Sequence, residues 1–380
     1  MLQWTAARPR TRHPPSGATP APCRSVLMVG TDPDGRGGIR TVVRGLLDAG
    51  LFERLDGEYV ATHRLGSRWA KISAALHGWL RVWALLRRLD APLVHIQMSS
   101  RASFWRKSVV CLMARLAGRP YLLHIHSGEF VQFYAKESGA LVQRYIRGIL
   151  AHAALVIALS EQWRERLLSI CPSASIEVLP NSVELPLESE VRRVPNARPQ
   201  ILYLGDLSRN KGTHDLVSAL ARVAQRFPDL ELVCAGNGSP AELRALAAEL
   251  HVQHRLKCPG WLDPPRKREA LARATLFALP SYAEGMPMAL LEAMAWELPV
   301  IATPVGGIPQ LLTHAANGLL VEPGDVEALA AAIALLVSDA PLRSRLGTAA
   351  RATIESGFTL DQTLARLSRI YRRFGIELRA

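Results

Sequence analysis

At 380 residues the chain is longer than one ordinary core and suits two domains. With 49% hydrophobic and 21% charged residues, its composition excludes a disordered or fibrous chain. The net charge of +13 is uneven, with 24 basic and 15 acidic side chains in residues 1–190 against 22 and 18 afterwards; the excess favours an anionic partner (phosphates, nucleic acid or a lipid surface) without choosing among them.

Residues 1–22 are rich in Arg, Pro, Ser and Ala and lack an apolar stretch, so they are expected to be a disordered leader rather than a secretory signal. Cys23, Cys111, Cys171, Cys234 and Cys258 show neither Cys-x-x-Cys nor paired Cys/His spacing. That argues against a disulfide framework or structural zinc and suits a reducing cytosol. From Ser25 onward the apolar runs SVLMVG, LVHIQ, YLLHIH, LVIAL and SIEVL alternate with amphipathic stretches, which predicts a parallel β/α domain over residues 23–185. After the first run, Gly35, Gly37 and Gly38 form a loop whose backbone can approach a substrate closely. Asp32 and Asp34 in the same loop have the spacing of a metal-holding pair, although Pro33 and Gly35 make the segment an ordinary turn equally well.

Further along, Trp69, Ile72, Leu76, Trp79, Trp83 and Leu86 recur at steps of three and four among basic residues. This is a basic amphipathic helix, which either packs on the first sheet or docks on anionic lipid. Arg101, Arg106 and Lys107 follow the LVHIQ strand, where the strand-end rule brings in an acceptor.

A proline-rich, charged connector, PNSVELPLESEVRRVPNARP, precedes a second alternation: QILYLG, LELVCAG, RLKCPG, TLFALP and PVIAT. These runs predict a second α/β domain over residues 186–357 with its first strand near Gln200. After that strand, Arg209 and Lys211 stand before Gly212. A guanidinium fork beside an ammonium point charge can neutralise a diphosphate leaving group, or the pair can be an exposed turn. Gly236, Gly238 and Ala241 imitate a dinucleotide fingerprint, but HRLKCPG supplies no acid where the ribose would need one. An NAD(P)-dependent oxidoreductase is therefore a secondary reading, as is a non-catalytic basic protein binding nucleic acid, which rests on charge alone.

The densest signal is LPSYAEGMPMALLEAMAWELPVIATPVGGIPQLL. A strand at 275–279 ends in a loop holding Glu284, and the following helix carries Glu292. Gly285, Met286 and Pro287 open that helix, where free N–H groups favour an anion. A carboxylate on the helix can accept from both ribose hydroxyls while one on the loop faces the reacting sugar; the plainer alternative is a helix cap and a surface acid. The apolar run 328–337 is too short to cross a bilayer, and residues 358–374 form a helical pattern able to pack back across the domains.

Taken together, GGIRTVV, LLHIHSGEF, LPNSVEL, LGDLSRNKG, the segment from Glu284 to Glu292, and TPVGGIPQLL with NGLLVEPGD resemble the retaining family-4 glycosyltransferases of the GT-B fold, of the polysaccharide-biosynthesis type. The resemblance implies two Rossmann-like domains facing across a cleft, with a C-terminal helix (358–380) crossing back to the first. It implies metal-independent transfer, with no cofactor, from a nucleotide diphosphate-sugar to a lipid-linked oligosaccharide, at the cytoplasmic face of an anionic membrane and without nucleic acid. Arg209 and Lys211 would bind the diphosphate, Glu292 the ribose, and Glu284 with Gly285, Met286, Pro287 and Met288 the transferred sugar. Gly37 and Gly38 would close on the donor from the first domain, and His126 would face its sugar as a neutral imidazole, with His124 a strand residue pointing elsewhere. Arg101, Arg106, Lys107, Trp69 and Trp79 would serve the acceptor or the membrane. The sequence departs from that family at Asp206, where many relatives carry arginine, at Gln310 in place of a common Glu, and at Glu297 in place of a common Gly.

Overall fold

The computed structural model describes residues 25–35, 37–90, 92–191 and 198–379; the leader expected at 1–22 and Cys23 lie outside the described residues. Two six-stranded sheets, every pairing parallel, form two Rossmann-like domains. The first sheet is built from β1 (Ser25–Gly30), β2 (Gly57–Ala61), β3 (Pro92–Met98), β4 (Tyr121–Ile125), β5 (Leu155–Ala158) and β6 (Ile176–Val178), in the order β2-β1-β3-β4-β5-β6. The second comprises β7 (Gln200–Leu204), β8 (Glu231–Ala235), β9 (Leu256–Gly260), β10 (Leu276–Leu279), β11 (Val300–Ala302) and β12 (Leu319–Leu320), in the order β12-β11-β10-β7-β8-β9.

Both faces of the first sheet are covered, which is why β1, β3 and β4 read as unbroken apolar runs. Leu27, Val29, Val94 and Ile96 point to one side, against the helices Arg68–Arg88 and Ala102–Leu116. Val26, Met28, Leu93 and Leu122 point to the other. There they meet Leu364, Leu367, Ile370 and Tyr371 of the helix Leu360–Arg372, which arrives from beyond the second domain. The chain crosses between domains twice at one place: Val183 N donates to Phe358 O at 3.0 Å and Leu360 N to Val183 O at 3.1 Å. These two bonds tie the outgoing linker to the returning helix.

The helix Arg68–Arg88 corrects the expected single apolar face. It buries Ala75, Gly78, Val82, Leu85 and Leu86, whereas Trp69 is 80% and Leu80 70% exposed and Ile72 and Leu76, with Leu65 just before the helix, are about half exposed. Its apolar arc is broader than the line the sheet can cover, so one flank faces solvent. Trp79 belongs to the covered side and donates from Nε1 to Arg106 O at 3.0 Å. Glu297 holds a left-handed φ of 58°, the conformation that glycine adopts without steric cost. Gln310 is exposed in the short turn Ile308–Gln310.

Candidate active site

In each sheet the strand order reverses once, between β1 and β3 and between β7 and β10. Open parallel sheets bind ligands at the carboxyl ends of the strands beside such reversals. Here the two crevices meet, enclosing a cleft of about 800 Å³ between the domains. The first domain lines it with Gly37, Gly38, Ser100, Arg101, His126 and Glu129; the second with Asp206, Lys211, Lys267, Glu284, Met288 and Glu292.

Glu284 lies on the loop after β10, only 9% exposed. Its Oε1 accepts from Lys211 Nζ at 2.7 Å and from Ser281 Oγ at 2.8 Å, and Lys211 also reaches Ala283 O at 3.2 Å. Two glycines let this loop be packed from both sides. A Cβ on Gly306, whose φ is +60°, would stand 1.9 Å from Glu284 O, and one on Gly128 of the first domain 2.5 Å from Glu284 C. Neither position tolerates a side chain without backbone movement. The domains are further joined here by Asn181 Nδ2, donating to Met286 O at 2.8 Å, and by Asn210 Nδ2, donating to Glu129 Oε1 at 2.9 Å.

Glu292 sits on the helix Met288–Ala295 and accepts from Lys267 Nζ at 2.6 Å. That helix begins at Pro287 without a side-chain cap, leaving its opening N–H groups free of any side-chain acceptor. His126 lies opposite, at the end of β4, with Nε2 2.6 Å from Gln97 Oε1. Burial, helped by the nearby charge of Lys107 and opposed by Asn181, pushes its pKa down to about 3, so the ring is neutral at physiological pH. His124 is buried in the sheet, its ring centroid 4.1 Å from that of His126.

Residues 25–182 match the glycosyl transferase 4-like domain family and residues 186–353 the glycosyl transferases group 1 family. The chain is 31% identical over 293 residues to the alpha-maltose-1-phosphate synthase of Mycolicibacterium smegmatis, covering 69% of this chain and 75% of that protein. The chain belongs to the family-4-like GT-B glycosyltransferases.

A second curated relative of this glycosyltransferase, the alpha-D-kanosaminyltransferase of Streptomyces kanamyceticus, is 26% identical over 81% of this chain and 83% of its own length. Others match over about half of their length. Among solved structures, the sucrose-phosphate synthase of Thermosynechococcus elongatus superposes with a TM-score of 0.78 at 22% identity, over 93% of this chain and 99% of that one. Anabaena Alr3699/HepE in complex with UDP-glucose gives 0.70 at 19% identity, over 91% and 99%.

The geometry of this glycosyltransferase rearranges part of the expected site. Arg209 is exposed and does not line the cleft. It and Lys211 lie two apart in the three-residue turn Arg209–Lys211, so their side chains diverge by about a third of a turn and only the lysine faces inward. Asp206 lines the cleft instead, accepting from Asn237 Nδ2 at 3.3 Å. Arg101 lines it too but is held by Glu129 and Glu137. Arg106 is half-buried and Lys107 is 1% exposed, so neither reaches the cleft wall. Gly285, Met286, Pro287 and Met288 all line it. Asp34 N donates to Asp32 Oδ1 at 3.0 Å and the Asp34 carboxylate pairs with Arg44, which makes the segment a closed turn. Among the described residues no group of three or more His, Cys, Asp and Glu side chains is placed so that it could hold a metal ion. Lys267 and Gln97 carry no signal in the sequence, and Asn181 carries only its place within LPNSVEL.

Proposed function

We propose that this glycosyltransferase moves a sugar, with retention and without a metal, from a nucleotide diphosphate-sugar to a lipid-linked oligosaccharide in the assembly of a cell-surface polysaccharide. The observation that carries the reading is the pair of lysine–carboxylate contacts, Lys211–Glu284 and Lys267–Glu292, beside one uncapped helix N-terminus and opposite His126. In the free protein each ammonium neutralises its acid. An incoming diphosphate competes for Lys211 and the helix N–H groups, which frees Glu284 to accept hydrogen bonds from sugar hydroxyls. Glu292, relieved of Lys267, accepts from the ribose hydroxyls in the same way.

As the bond from the anomeric carbon to the phosphate oxygen breaks, the acceptor oxygen attacks from the same face and its proton passes to the departing phosphate. Lys211 and the helix N-terminus stabilise the charge that develops on that phosphate, and the contact of Gly128 with the Glu284 loop keeps water out. The solved structure of Alr3699/HepE with UDP-glucose supports a nucleotide-sugar donor. Among the described residues no helix is long and apolar enough to cross a membrane. The exposed line Leu65, Trp69, Ile72, Leu76 and Leu80, with exposed Arg64, Arg68 and Lys71 beside it, supports docking on an anionic bilayer from the cytoplasmic side.

Thermal-shift screening with UDP- and GDP-sugars identifies the donor. Lys211→Ala is expected to abolish both the shift and turnover while its circular dichroism stays native; a near-normal rate would refute the assignment.

A further inference from the structure

A buried chain of polar side chains runs from the crossing helix to the cleft. The Tyr371 hydroxyl lies 2.7 Å from His95 Nδ1, His95 Nε2 lies 3.3 Å from Gln97 Nε2, and Gln97 Oε1 lies 2.6 Å from His126 Nε2. Tyr371 and His95 are fully buried and Gln97 is 1% exposed. Beyond His126 comes Asn181, which interacts with that ring and donates from Nδ2 to Met286 O in the donor loop. Asn181 Oδ1 and His126 Nδ1 are both buried without a partner.

Counting protons shows what this arrangement requires. With the Gln97 oxygen toward His126, the Gln97 amide must donate to His95 Nε2. His95 then carries its proton on Nδ1 and donates to the Tyr371 oxygen. The phenol hydrogen, Asn181 Oδ1 and His126 Nδ1 are left without partners, and each unmet buried group is costly. Turning the Gln97 amide over exchanges two atoms of almost the same shape, gives the phenol hydrogen an acceptor and moves the His126 proton to the side of Asn181, in exchange for the weak contact of Gln97 Nε2 with Met28 Sδ at 3.6 Å. Tyr371 donates to His95 Nδ1, His95 Nε2–H to Gln97 Oε1 and the Gln97 amide to His126 Nε2, which leaves His126 to carry its proton on Nδ1, towards Asn181, the side chain that raises the ring's proton affinity.

We propose that Tyr371, His95 and Gln97 are positioning residues that fix His126 in the Nδ1–H tautomer and, through Asn181, hold the Met286 carbonyl of the donor loop. A phenol placed on the last helix of the chain thus sets the proton order at a histidine of the cleft wall. The consequence for turnover rests on the glycosyltransferase reading above; the tautomer does not.

The test uses the full chain labelled with nitrogen-15 histidine, with the His126 signals assigned by their loss in His126→Gln. Long-range proton–nitrogen spectra are expected to show His126 as Nδ1–H in the parent and as a mixture containing Nε2–H in Tyr371→Phe. An Nε2–H tautomer in the parent, or no change in Tyr371→Phe, overturns the proposal. With the donor found by screening, Tyr371→Phe and the size-matched Gln97→Met are expected to lower kcat about tenfold at unchanged donor KM. A variant that melts earlier yet turns over normally well below its melting temperature shows a purely structural role and also overturns it. Gln97→Glu accepts from both histidines and raises the proton affinity of His126, so a new acidic limb is expected in the pH–rate profile; an unchanged profile argues against the chain. Should no donor be turned over at all, the glycosyltransferase reading fails while the tautomer experiment still decides the proposal.

Discussion

Lys107 shows how a single side chain can be misread. Placed after a strand and beside Arg106, it reads as a cation offered to an acceptor, yet it is fully buried on the same helix face as Phe104, Cys111 and Ala114. Their spacing of three and four was the signal for burial, outweighed by the charge. Desolvation, with Arg106 adding repulsion, pushes its pKa from 10.5 down to about 7. Between those values the unfolded chain binds the proton that the folded one has lost, so this residue's contribution makes stability rise with pH through that window. At neutral pH the penalty is on the order of a few kcal/mol. Lys107→Met is therefore expected to be more stable than the parent at pH 7, with the gap closing towards pH 10; urea midpoints at the two pH values check it. Arg209 and Lys211 teach the complementary lesson, since two cations two residues apart look equivalent in sequence but a tight turn sends them to different sides.

Among the elements, the central strands were legible because both of their faces are buried and their apolar runs are continuous. Two strands, β2 (GEYVA) and β12 (LL), carry no such signal. Both lie at sheet edges, where one short half-covered run carries little periodic signal. The helix Arg68–Arg88 lies between these cases: its amphipathic character was plain, but which part of a broad apolar arc the sheet would cover was not. The uncovered part yields a prediction at this scale. The parent is expected to co-sediment with vesicles containing anionic lipid and much less with neutral ones, and a Trp69→Ser, Leu80→Ser double variant to lose most of that binding with its fold intact. Recovery of the parent in the supernatant with both kinds of vesicle counts against a membrane-facing role.

Across the whole molecule, the site exists only because two strand-order reversals, one from each domain, face each other. The crossing helix serves that assembly by packing the end of the chain under the first sheet, where Tyr371 meets His95. The result is three buried histidines in one domain: burial lowers His95 and His126 to about 3 and His124 well below its ordinary value. All three stay neutral in the folded protein while the unfolded chain takes up protons below about pH 6.5, so their contribution is lost as pH falls from there. For His95 and His126 the loss between pH 7 and pH 5 is about 2 kcal/mol each. A steep fall in melting temperature over that range is expected, and a flat profile would show that these rings are solvated.

By itself the sequence determined the two-domain α/β architecture and the neighbourhood of the cleft, because apolar runs buried on both faces and the glycine-bearing turns that follow strands are local signals written residue by residue. Only the tertiary structure decided which cation of LSRNKG turns inward, that Lys267 meets Glu292, and that Tyr371, 276 positions from His95, completes the polar chain behind His126. These outcomes depend on distances between elements remote in sequence, and periodicity along one element holds no record of its neighbour.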